Sequence, residues 1–173
     1  MALRASFIKV ADNTGINNVE CLAREIWPEH FLPIIGPEQV QYMLAQFQSA
    51  GAIKKQIEDG ALYFLVVFEK NNIGYLSVVP EGKGASLFLS KLYLLARYRG
   101  QGFGREMLGF VEDMARSMNL KALSLNVNKR NAATIDFYVR MGFVKAASDM
   151  KDLGGGFWAD DWLMEKLLLE KKL

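Results

Sequence analysis

Three glycines alternate with other residues in Arg99-Gly100-Gln101-Gly102-Phe103-Gly104-Arg105, directly after the apolar run Leu92-Tyr93-Leu94-Leu95. The apolar run reads as a strand, and the residues from Gly102 onward as an amphipathic helix. The first backbone N–H groups of a helix have no partner within it, and the helix dipole adds partial positive charge there. Glycines remove the side chains that would hold an anion at a distance. Gly100, Gly102 and Gly104 can therefore cradle a pyrophosphate, with Arg99 and Arg105 adding charge. Taken alone, the glycines fit a structural turn almost as well. A dinucleotide fingerprint needs a glycine spaced further on and an acid closing the next strand, where this chain has Asn126. The Gly-Lys-Ser/Thr ending of a nucleoside-triphosphate loop is absent.

The surrounding residues decide between these readings. Arg99-Gly100-Gln101-Gly102-Phe103-Gly104 resembles the coenzyme A loop of the GNAT superfamily of acetyl-CoA-dependent N-acetyltransferases. The resemblance continues through Leu123-Ser124-Leu125-Asn126-Val127-Asn128, Asn131-Ala132-Ala133, Phe137-Tyr138 and Met141-Gly142-Phe143. It is clear from Leu87 to Val144 and looser, as an order of elements, over most of the chain. It implies an α/β fold: one mixed, mostly antiparallel sheet flanked by helices, with two parallel strands splaying apart where the cofactor enters. Acetyl-CoA is the implied co-substrate, with no metal. The Asp161-Trp162-Leu163-Met164-Glu165-Lys166 close looks like the small bacterial branch that includes polyamine acetyltransferases, although acids are sparse here for a polycation.

Acetyl transfer from a thioester to an amine needs the donor held, the carbonyl polarised, the amine deprotonated and the thiolate protonated. By resemblance, the backbone of Leu94 and Leu95 binds the acetyl and pantetheine portion like an added strand, with an N–H as oxyanion donor. Both leucines also suit the core. Asn126, Asn131 and Ala133 belong to the implied cofactor set, because an amide side chain can both donate to and accept from pantetheine amides. Asn131 suits a helix cap equally well. Tyr138 is the implied general acid. A phenol with a pKa near about 10 keeps its proton at neutral pH and can give it to a thiolate.

The general base is missing. Many relatives carry a glutamate on the strand before the loop, where this chain has Leu87-Phe88-Leu89-Ser90-Lys91-Leu92-Tyr93. Ser90 and Lys91 stand in its place. Glu29, Asp160 and His30, the only histidine, are the alternatives. Trp27, Phe31 and Tyr42 can line an acceptor pocket or staple helices, and Asp160-Asp161 can attract a cationic amine or end a strand in solvent. A free amine can also lose its proton to a water chain. A coenzyme A-binding sensor with the same fold is the alternative to an enzyme, and an acyl group larger than acetyl shares the same loop.

The elements that must position these residues are legible in order. Phe7–Val10 reads as a strand. Asp12-Asn13-Thr14 cap a helix with Ile16, Val19, Leu22, Ala23 and Ile26 at helical spacing. Pro28 and Pro33 bracket a predicted loop. A second helix starts at Gly36-Pro37 with Val40, Met43, Leu44 and Phe47 on one face, and a third spans Ala52 to Glu58. Strands over Ala61–Phe68, Ile73–Val79 and Ala85–Leu95, turning at Lys70-Asn71-Asn72 and Glu81-Gly82-Lys83-Gly84, make an antiparallel meander. A helix from Gly102 to Met118 and a strand from Ala122 to Val127 complete a crossover that requires parallel pairing. A helix from Asn131 to Met141 stops at Gly142, and strands Phe143–Met150 and Phe157–Leu167 follow, joined through Gly154-Gly155-Gly156.

With 173 residues, 51% of them apolar and 23% charged, the chain is expected to be one globular domain over 1–173. A formal charge of +2 argues against nucleic acid or an anionic membrane as partner. One cysteine, Cys21, excludes an internal disulfide framework and reads as a small core residue. Without a signal-like start or a run of membrane-spanning length, the expected location is the cytoplasm. The resemblance implies a primary amine on a small molecule or peptide as acceptor, and allows a homodimer through the final strands.

Overall fold

The computed structural model describes residues 4–81 and 86–168. Hydrogen-bonded neighbours form one seven-stranded sheet of β1 (Ser6–Lys9), β2 (Leu62–Phe68), β3 (Asn71–Pro80), β4 (Ser86–Leu94), β5 (Ala122–Asn128), β6 (Val144–Gly154) and β7 (Phe157–Leu167), in the order β1-β2-β3-β4-β5-β7-β6. The sheet is antiparallel except at β4 (Ser86–Leu94) and β5 (Ala122–Asn128). Their parallel register joins Ser86–Phe88 to Ala122–Ser124, and both strands run on beyond it. The chain divides into two compact units, Met1–Val79 with Lys91–Leu108, and Pro80–Ser90 with Gly109–Leu173.

The first unit is built on β1 (Ser6–Lys9), β2 (Leu62–Phe68) and β3 (Asn71–Pro80), with helices α1 (Asn13–Ile35), α2 (Pro37–Phe47) and α3 (Ala50–Glu58). The Asp12 side chain accepts from Gly15 N at 2.8 Å, as the cap reading requires. Ile16, Val19, Leu22, Ala23 and Ile26 are all buried against Tyr63, Leu65 and Tyr75 of the sheet. The predicted loop from Pro28 to Pro33 does not exist. Both prolines lie inside α1. Each removes a helix hydrogen bond. Trp27 and Phe31, four residues apart and buried with ring centroids at 4.3 Å, extend the apolar stripe across them and hold the helix together. Gly36, at φ 81°, ends it by donating to Leu32 O. Cys21, expected in the core, is exposed.

The hairpin between β2 and β3 turns at Glu69-Lys70, both at positive φ, and Asn71 already pairs with Phe68. Two consecutive left-handed residues give the twist that a two-residue hairpin needs. The next predicted turn, Glu81-Gly82-Lys83-Gly84, lies outside the described residues except for Glu81. β4 stops at Leu94. Leu95 N donates to Ile73 O, and a short 3-10 turn, Ala96–Tyr98, leads to Arg99.

In the second unit β5 pairs with β7 (Phe157–Leu167), which pairs with β6 (Val144–Gly154). Helix α5 (Ala132–Arg140) buries Ile135 and Tyr138 and ends before Gly142 at φ 91°. Helix α4 (Phe103–Ser117), whose residues up to Leu108 belong to the first unit, is amphipathic as expected, with Met107, Leu108, Val111 and Ala115 buried. No described helix is long and apolar enough to cross a membrane.

Candidate active site

The glycine loop begins where β4 has delivered Leu94 and Leu95 into the core, both buried. Three of their backbone groups already have internal partners. Leu94 O accepts from Arg99 Nε at 3.1 Å, Leu95 N donates to Ile73 O, and Leu95 O accepts from Tyr98 N. A carbonyl oxygen has a second lone pair, so two of these groups can still accept from a ligand.

Gly100 and Gly102 adopt φ 73° and 92°, a conformation in which a side chain is strained. Gly102 O accepts from Arg105 N and Glu106 N, so Gly102 opens α4. Gly104 sits in the first helical turn. The loop and the helix start thus have the form of an anion cradle, and open space around a Cβ at Gly100 leaves that side clear. Phe103 is a buried anchor, packed on Phe68 at 5.0 Å and Tyr98 at 6.1 Å between centroids. Gln101 turns away, its Nε2 donating to Arg97 O at 2.7 Å. Arg105 is exposed.

Arg99, expected to add free charge to the cradle, forks onto Glu29 of α1, with Nη2–Oε2 at 2.8 Å and Nη1–Oε1 at 3.2 Å. Glu29 is therefore engaged with the loop arginine. Trp27 and Phe31 face the core, Trp27 5.6 Å and Phe31 6.1 Å from the Tyr93 ring centroid. His30, half-buried, sits edge-on to Phe31 at 4.7 Å. Beside them Glu25, Ile26, Glu29, Leu95, Ala96 and Arg97 line a cavity of about 170 Å³. Arg97 pairs with Glu25 at 2.8 Å. Glu25 carries no local sequence signal, since only the fold brings it beside Leu95.

Lys91, in the place where a carboxylate was sought, is 7% exposed. Its Nζ donates to Gln56 Oε1 at 2.8 Å and lies 5.4 Å from the Tyr63 ring centroid. Burial lowers its pKa to about 8. Tyr63 OH donates to the same Gln56 oxygen at 2.6 Å.

In the second unit Tyr138 is buried mid-helix, 5.4 Å from the Phe143 ring centroid, and burial pushes its hydroxyl well above the usual phenol range. It stays protonated, as an acid must. Asn131 occupies the N-cap position of α5 and is buried, but its side chain makes no cap hydrogen bond. The capping role therefore does not account for its amide. Asn126 is exposed and donates to Asp149 Oδ2 at 2.8 Å, and Ala133 is exposed. Asp160 is ion-paired with Lys129. Its neighbour Asp161 is raised to about 6, first by burial and then by Asp149 and Asp160, against the opposing pull of Lys129 and Lys151.

Residues 20–143 match the acetyltransferase (GNAT) family. The chain belongs to this family. An uncharacterized N-acetyltransferase of Bacillus subtilis, YycN, is 32% identical over 84 residues, 47% of this chain and 54% of its own length. The alignment thus spans about half of that relative. An uncharacterized N-acetyltransferase of Mycobacterium tuberculosis, Rv2669, is 24% identical over 130 residues, 75% of this chain and 83% of its own. The crystal structure of the PaiA N-acetyltransferase of Thermoplasma acidophilum in complex with coenzyme A has the same fold, with a TM-score of 0.76 at 19% identity, over 96% of this chain and 100% of that one. The GNAT resemblance carried by the glycine loop and by Asn131–Phe143 is accordingly a family relationship.

Proposed function

We propose that this protein transfers an acetyl group from acetyl-CoA to a primary amine of a small molecule or peptide. The observation that carries the reading is the junction of β4 and α4. β4 ends at Leu94, a short 3-10 turn leads to two glycines of positive φ, Gly100 and Gly102, and α4 opens directly behind them. Those backbone N–H groups suit a diphosphate, and the family match covers them.

The free amine nitrogen attacks the thioester carbonyl carbon, the C–S bond breaks, and the thiolate takes the Tyr138 hydroxyl proton; the proton that leaves the nitrogen as the amide forms passes to water, and water returns one to the Tyr138 phenolate. Arg105 and the loop amides of Gly100 to Gly104 hold the diphosphate. Leu94 and Leu95 present backbone groups to the pantetheine arm, and Asn126, Asn131 and Ala133 complete the cofactor set. In the cavity beside Leu95 both carboxylates, Glu25 and Glu29, are held by Arg97 and Arg99, so an ammonium entering there competes with those arginines for them. Trp27, His30 and Phe31 lie on the same helix as Glu25 and Glu29 but outside the residues that line this cavity.

The test is release of free coenzyme A thiol from acetyl-CoA against polyamines, amino acids, aminoglycosides and peptides with free N-termini. Release with one acceptor class is expected. Calorimetric binding of acetyl-CoA with no release across the panel would favour a cofactor-binding sensor, and absence of binding would overturn the loop assignment.

A further inference from the structure

Arg4 lies almost one hundred residues from the glycine loop in sequence, yet it is bonded to it. Its Nη2 donates to the Gln101 carbonyl oxygen, and its guanidinium carbon sits 4.4 Å from the centroid of the Phe103 ring. A Cβ built on Gly102 would meet Arg4 Nη2 at 3.3 Å. The arginine is itself held by the first turn of α4. Arg4 Nε pairs with Glu106 Oε1 at 2.9 Å, while Arg4 N and Ala5 N both donate to Glu106 Oε2, at 2.9 and 3.1 Å. These bonds, with the pull of the guanidinium, outweigh the burial of Glu106 and hold its carboxyl below the usual range. Glu106 is therefore a firm anchor at neutral pH.

In a planar trans peptide the C=O and the following N–H point in opposite directions. Fixing the Gln101 carbonyl on Arg4 consequently turns the Gly102 N–H to the opposite face of the loop. Hydrogen bonding of a cation to the carbonyl also polarises the peptide and strengthens its N–H as a donor. We propose that Arg4 is a positioning residue that clamps the Gln101–Gly102 peptide from behind, so that the Gly102 N–H is presented to the diphosphate of the donor. The proposal rests on the coenzyme A reading of the loop. It assigns to the N-terminal segment a part in cofactor affinity that none of the loop's own residues supplies.

The test compares two donors, acetyl-CoA and S-acetylpantetheine, which lacks the diphosphate. Arg4→Met keeps an apolar stem over Phe103 and removes the clamp. It should lower kcat/KM for acetyl-CoA about tenfold through KM, the scale of one charge-assisted hydrogen bond, with kcat retained. The kcat/KM for S-acetylpantetheine should not change. Glu106→Gln, which loosens the anchor but leaves Arg4 in place, should show the same donor selectivity to a smaller degree, and it serves as the second variant if Arg4→Met folds poorly. An equal loss with both donors, or none with either, would overturn the clamp while wild-type binding of coenzyme A, measured by calorimetry, preserves the loop reading. If the wild type itself does not bind coenzyme A, the loop reading falls and takes the clamp with it.

Discussion

Lys91 Nζ lies 2.8 Å from Gln56 Oε1, and among the described residues that amide oxygen is its only hydrogen-bond acceptor. The groups that face it are Tyr63 from β2 and Gln56 from α3, and neither is an anion. An ammonium buried with one neutral acceptor opposes folding. The Lys91 pKa is lowered to about 8, whereas an unfolded lysine titrates near about 10.4. Below about pH 8 both states are charged and the burial cost stands in full. As pH rises from there toward about 10.4, the folded amine is neutral while the unfolded one still holds its proton, so stability rises. Lys91→Met should therefore be more stable than the wild type by about 1–3 kcal/mol at pH 7, with the gap closing above about pH 10. Urea titrations at the two pH values measure this. A variant less stable than the wild type at pH 7 would show that the ammonium is held by something stronger than Gln56.

Tyr138 is a different case, because its burial serves the proposed chemistry. Burial raises its hydroxyl above the usual phenol range, so the acid form persists through alkaline assay conditions. Tyr138→Phe should reduce kcat by about a hundredfold, the lower range for a positioned general acid, with the Kd for acetyl-CoA changed little. The edge contact with Phe143 needs only the ring, which phenylalanine keeps. Stopped assays for kcat and calorimetry for Kd separate the two quantities. Unchanged kcat would remove Tyr138 as the acid.

Much of this arrangement was legible from local residues. The Asp12 cap, the apolar spacing from Ile16 to Ile26 and the glycine-bounded end of α5 each act within a few residues, and each forms as expected. Most of the failures originate in contacts made at long range, and the hairpin in an unusual local backbone conformation. Two prolines argued for a loop, but Trp27 and Phe31 are buried against the sheet and Tyr93 and keep α1 continuous. The hairpin slipped by one residue because Glu69 and Lys70 take positive φ without being Gly, Asn or Asp. Arg99 looked like free charge for an anion, and only the fold places Glu29 beside it. Arg4 gave no signal, since an arginine near an N-terminus is ordinarily a solvated one and its partners are Gln101 and Glu106.

Asp161 gives a second pH dependence, of opposite sign. Its pKa is raised to about 6, against about 3.9 for an unfolded aspartate, by burial and by the neighbouring Asp149 and Asp160. Below about pH 4 the group is protonated in both states and costs nothing. Between about pH 4 and 6 the unfolded chain releases the proton first, so stability falls as pH rises. Asp161→Asn should stabilise the protein by about 1–2 kcal/mol at pH 7, an amount reduced for partial solvent screening, and by nothing at pH 3.5. Thermal melts at both pH values check the sign. Equal melting points at pH 7 would mean that Lys129 and Lys151 already neutralise the site.

Gly74 ties the frame of the first unit to the site. A Cβ there would lie 2.3 Å from Tyr93 O, 2.9 Å from Leu94 Cδ2 and 3.2 Å from Leu94 Cα. The nearest atom is backbone, so no rotamer change relieves the clash. Either β3 and β4 separate or Leu94 is displaced, and Leu94 is one of the two residues proposed to meet the pantetheine arm. Gly74→Ala should destabilise the protein by about 3 kcal/mol, in the range of severe overpacking. It should also raise the KM for acetyl-CoA, although residue 74 belongs to none of the cofactor-binding positions. Gly100→Ala provides the contrast. Nothing lies within 4 Å of its Cβ, and the cost comes only from φ 73°, about 1 kcal/mol. Denaturant unfolding of the two variants, with the acetyl-CoA KM of each, distinguishes close backbone approach from local strain. A Gly74→Ala protein as stable as the wild type would show that β3 and β4 can part at Tyr93 without loss.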